Sequence, residues 1–75
     1  MSYALFDLQT GNYMATGYGA NSLDELKDAI LSYVSVDYDE QDDDWKSIQK
    51  LSVDELCEMW EFSIEQGEFI AEHIF

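Results

Sequence analysis

Asp54, Glu58, Glu61 and Glu65 follow one another at spacings of four, three and four residues. On a continuous helix that rhythm puts all of them on one face. With a rise of ~1.5 Å per residue, neighbours stand about 5–6 Å apart along the axis, comparable to phosphates along one strand of a nucleic acid. A second acidic group, Asp37, Asp39, Glu40, Asp42, Asp43 and Asp44, crowds residues 36–44 and surrounds Tyr38. Lys46 and Lys50 precede the first group and no lysine lies inside it. Nothing at i,i+4 therefore relieves like-charge pairs that each cost roughly 0.2–0.5 kcal/mol. A solvated face with no particular role mixes its signs. The chemistry this pattern suits is electrostatic capture of a basic surface, with Tyr38 adding cation–π contact to arginine.

Catalytic chemistry finds little to work with. The chain holds one cysteine, Cys57, and one histidine, His73. Cys57 falls within an apolar stripe, where cysteine packs as a small hydrophobe. Its neighbours Glu55, Glu58 and Glu61 would raise a thiol pKa rather than activate it. No Gly-x-Ser-x-Gly, His-Glu-x-x-His or phosphate-loop pattern occurs. Gly17-Tyr18-Gly19 begins like a dinucleotide fingerprint, but Ser22 stands at the third glycine position and no full βαβ unit surrounds it. Asp37-x-Asp39 begins like a calcium loop, but Asp42 replaces its glycine and Ile48 its closing glutamate. The expectation is a protein that is not an enzyme, with no metal site and no cofactor.

The whole composition narrows the partner. Seventeen Asp and Glu face three lysines and no arginine across 75 residues, for a formal net charge of −14. Direct binding of nucleic acid is excluded, because nothing could neutralise a row of phosphates. Docking on an anionic membrane is excluded for the same reason. No uncharged apolar run approaches the roughly 20 residues that span a bilayer. Met1-Ser2-Tyr3 lacks the basic start of a secretory signal, and a lone cysteine suits a reducing compartment, so the cytoplasm is expected. High charge borders on disorder. The absence of proline and the ordered periods of the apolar residues point instead to one small folded domain over 1–75.

The elements that must carry these side chains follow from those periods. Tyr3 to Gln9 alternates like a strand, Gly11-Asn12 suits a tight turn, and Tyr13 to Tyr18 reads as the returning strand. Ser22-Leu23-Asp24-Glu25 is a capping box, and Leu23, Leu26, Ile30, Tyr33 and Val34 follow at helical spacing to about residue 35. Residues 36–44 are expected to form a mobile acidic loop. A short helix anchored by Trp45 follows. Ser52-Val53-Asp54-Glu55 repeats the capping box, with Leu51 and Leu56 placed as a hydrophobic staple. Val53, Leu56, Cys57, Trp60 and Ile64 predict a helix that Gly67 ends. Residues 68–75 are read as a third strand beside the first. The expected fold is α+β: a small antiparallel sheet packed on two amphipathic helices plus a short helix, in the order ββααα(β).

Two functions fit. The first is an acidic protein-binding module that occupies a basic, nucleic-acid-handling partner by mimicking its nucleic acid. Phage and mobile-element inhibitors of restriction, CRISPR and repair enzymes take this small, acidic form, an analogy of class and composition. The second is an accessory subunit or homodimer docked through an apolar patch that includes Met59, Phe62, Phe69, Ile70, Ile74 and Phe75.

Overall fold

The computed structural model describes residues 1–69. Its elements are β1 (Ser2–Asp7), β2 (Asn12–Tyr13), α1 (Leu23–Val34), a 3-10 turn (Ser35–Asp37), α2 (Asp43–Gln49), α3 (Val53–Trp60) and β3 (Phe62–Gly67). The fold is the expected small α+β arrangement. Its three strands are all antiparallel in the order β2-β1-β3.

The N-terminal hairpin turns where expected. Gly11 adopts φ +73°, and its amide donates to the Asp7 carbonyl at 2.9 Å. The second strand is shorter than its residues suggest. Only Asn12 and Tyr13 pair with β1, and one further bond joins the Met14 amide to the Leu5 carbonyl. The chain then leaves the sheet through Gly17, whose φ of +76° is one that residues with a Cβ rarely adopt. It returns at Ala20, which bridges Tyr3.

Helix α1 follows its sequence signals closely. The Ser22 hydroxyl accepts from the Glu25 amide, and Leu26, Ile30 and Val34 form its buried stripe. The expected capping box is only half made, because the Glu25 carboxylate accepts from the Asn21 amide instead of that of Ser22. At α3 both halves of the box are present. Leu23 and Tyr33, expected on the inner face of α1, are exposed.

The C-terminal half departs most from expectation. The second long helix ends at Trp60 instead of continuing to Gly67. Glu61 turns the chain in the left-handed region at φ 59°, ψ 47°, and Phe62–Gly67 then pairs along the full length of β1. The third strand is thus 62–67; of the segment expected to form it, 68–75, Glu68 and Phe69 are not strand, and residues 70–75, His73 among them, lie outside the described residues. The reason is that Phe62 and Ile64 satisfy two periods at once. A helix would leave Phe62 beside its apolar stripe. The strand puts Phe62 and Ile64 opposite Asp7 and Leu5 and buries Phe62 in the core.

That core joins Leu5 of β1, Leu26, Ile30 and Val34 of α1, Trp45 and Ile48 of α2, Leu56 and Cys57 of α3, and Phe62 of β3. Each fully buried leucine or isoleucine among them contributes about 1.5–3 kcal/mol. The other face of the sheet carries Phe6, Tyr13, Tyr18 and Phe69, whose ring centroids lie 5.1–6.1 Å apart from ring to ring.

Candidate functional site

The acidic segment is built into local structure. Asp37 closes the 3-10 turn. The Asp39 side chain accepts from the Gln41 amide at 3.1 Å, and its carbonyl accepts from the Asp42 amide at 3.0 Å. Asp42 caps α2, accepting from the Asp44 amide at 2.9 Å. Asp43 and Asp44 occupy the first turn of α2, where the helix dipole favours negative charge. The segment expected to be one loop thus ends at Asp42, and its last two acids are helical. An aspartate directly before a first turn of acids was the sequence signal for this cap.

The four-carboxylate stripe is divided. Asp54 and Glu58 remain one turn apart on α3, both exposed. Glu61 sits in the left-handed turn, and Glu65 lies half-buried on β3 opposite Ala4. A single helical face with phosphate-like spacing therefore does not form, because the helix ends before reaching the last two residues.

Negative charge nonetheless stays at the surface. No charged side chain is buried among the described residues. Among them the one approach between a lysine and a carboxylate is Lys46 Nζ to Asp43 Oδ1, at 4.0 Å across three residues of α2. Asp43 is fully exposed, so solvent screens the pair and it adds little to stability.

Tyr38 is not a free aromatic arm. Its ring stacks on Trp45, with centroids 5.6 Å apart and planes 21° from parallel. Tyr38, Asp44, Ser47, Ile48, Leu51 and Met59 together line an open cleft of about 340 Å³. Sequence reasoning did not assemble this cleft. Leu51 was expected in a hydrophobic staple with Leu56, and Met59 in an apolar patch. The available signal was the spacing of residues 44, 47, 48 and 51, which share one side of a helix.

Cys57 is buried, and its thiol is pushed up to about 11, first by burial and then by the Asp54 carboxylate. The neighbours named from sequence were Glu55, Glu58 and Glu61. Burial outweighs any carboxylate here, and the nearby acid that matters is Asp54. The thiol stays protonated at neutral pH and is a poor nucleophile. Among the described residues, no three His, Cys, Asp or Glu side chains group as they would to hold a metal ion. No helix among them is long and apolar enough to cross a membrane.

No protein family matches the chain, no curated protein matches it, and no solved structure matches it.

Proposed function

We propose that this protein is an acidic binding module that occupies the phosphate-binding surface of a basic, nucleic-acid-handling protein partner. The observation that supports this reading is that its carboxylates stand in solvent, with only one lysine approaching any of them among the described residues. The density of charge on 37–44 and on α3 would steer encounter with a cationic surface and make association fast and salt-sensitive. Cytoplasmic nucleic-acid enzymes of the kind targeted by phage inhibitors are the partner class this chemistry fits.

The test is capture from native-host lysate on the immobilised protein, with elution in a salt gradient. The captured protein is then identified and challenged with its own nucleic acid. Release at rising salt and mutual exclusion with nucleic acid are expected. Replacing Asp54 and Glu58 by lysine should weaken capture at least about tenfold. A ternary complex containing both nucleic acid and this protein would sink the proposal.

The alternative of an apolar accessory subunit keeps one supporting observation, the exposure of Met59 from its expected patch. Phe62, expected to belong to that patch, is buried. Light scattering separates the readings, since an apolar dimer would persist in salt.

A further inference from the structure

The cleft lined by Tyr38 and Met59 brings apolar side chains and a carboxylate together. Its apolar lining is Tyr38, Ile48, Leu51 and Met59, and its polar lining is Asp44 and Ser47. The Tyr38 side is preformed, because Tyr38 is held by its stack on Trp45, itself buried in the core. Met59 is the adaptable wall. It is 57% exposed, an apolar side chain left in water on one side of the cleft.

The one charged side chain lining the cleft is the Asp44 carboxylate. Asp37 and Asp39 flank Tyr38 in the chain, Glu58 precedes Met59, and Glu55 lies one turn before it on α3. At 100° per residue, Lys46 and Lys50 fall on the side of α2 away from Asp44 and Ile48. An apolar ligand alone would leave Asp44 without a counter-charge, and a purely polar cation would leave Met59 in water.

Resting on the reading of this protein as a module for a basic partner, we infer that the partner engages this cleft with a short amphipathic basic segment. Apolar side chains of that segment seat between Tyr38 and Met59. Its lysines or arginines face Asp44 and the carboxylates beside Tyr38 and Met59. This is the mode in which an amphipathic helix lays its apolar face into a groove, with charge setting its orientation.

Three synthetic peptides of equal length test the inference by two-dimensional NMR titration of the isotopically labelled protein at about 0.15 M salt. One carries leucine at i, i+3, i+4 and i+7 with lysine between, the pattern of an amphipathic helix. The second keeps every lysine and replaces leucine with glutamine. The third keeps leucine and replaces lysine with glutamine. The leucine–lysine peptide should shift the amides of Ser47, Ile48, Leu51 and Met59 and bind at least about tenfold tighter than either control. Met59→Gln, at an exposed position, should erase the preference for leucine while leaving the thermal melt unchanged. Asp44→Asn should weaken the leucine–lysine peptide alone or most. Equal affinity for the two cationic peptides, with shifts spread over the acidic surface, would overturn the cleft and leave the acidic module standing. Equal affinity for the two leucine peptides would overturn the basic character of the occupant. No shift with either cationic peptide would overturn the cleft and the acidic reading together.

Discussion

Gly17 and Glu61 are both left-handed turns, and the two answer to different forces. At Gly17 the residue type and the backbone agree. A Cβ there would meet Leu26 Cδ2 at 3.0 Å and Leu5 Cδ1 at 3.3 Å, so the absent side chain is required both by φ and by the core beneath it. At Glu61 they disagree. The residue has a Cβ, yet it stands at φ 59°, its amide closing on the Cys57 carbonyl at the end of α3. A conformation costing roughly 1 kcal/mol is held because the strand after it buries Phe62 and pairs with β1. One turn is written locally, and the other is imposed by packing on both sides of it.

Removing what imposes the second turn should have the largest effect. Phe62→Ala is expected to lose about 3 kcal/mol or more in denaturant unfolding, since it empties a core position at the start of β3. A loss below about 1 kcal/mol would mean that the ladder with β1, not the aromatic ring, holds the turn. Gly17→Ala should cost about 2 kcal/mol, combining left-handed strain with the displacement of Leu26 and Leu5. If it were neutral, the first turn would be as tolerant as the second and the contrast would collapse.

Cys57, whose carbonyl receives the Glu61 amide, extends the comparison to alkaline pH. The folded thiol is raised from 9.0 to about 11. Below pH 9.0 it is protonated in both states, and its contribution to stability is fully present. Between pH 9.0 and about 11 the unfolded thiol ionises first, so stability falls across that window. Wild type should lose on the order of 1–2 kcal/mol more than Cys57→Ala over the same range. Parallel pH profiles for the two proteins would show that the thiol reaches water in the folded state.

The smallest change sharpens the contrast from the other side. Glu61→Gly should raise stability by about 0.5–1 kcal/mol by removing the left-handed strain. Glu61→Ala, which removes the same charge but keeps the Cβ, serves as the control. Equal gains in the two variants would assign the benefit to relief of charge repulsion and not to the backbone.

The acidic residues divide along the same line. Asp42 and Ser52 cap their helices through bonds that span two or three residues, and such bonds were readable in principle from neighbouring residue types. Whether Glu61 and Glu65 join Asp54 and Glu58 on one face was not readable, because it depends on where α3 stops. The cleft was hidden for a related reason. Tyr38 reaches it from the turn before α2 and Met59 from α3, so its two sides are separated in sequence and meet only through packing.

Residue order alone determined the class of the fold, the hairpin turn, the starts of α1 and α3 and their capping serines, and the surface placement of the acids. These rest on interactions between residues a few positions apart, or on the cost of burying charge. Tertiary structure alone decided the end of α3, the position of β3 and the assembly of the cleft. Residues 53–67 fit a helical period and, from Phe62 on, an alternating one. The choice fell to β1, more than fifty residues earlier in the chain, whose unpaired edge and Leu5 side chain reward the strand.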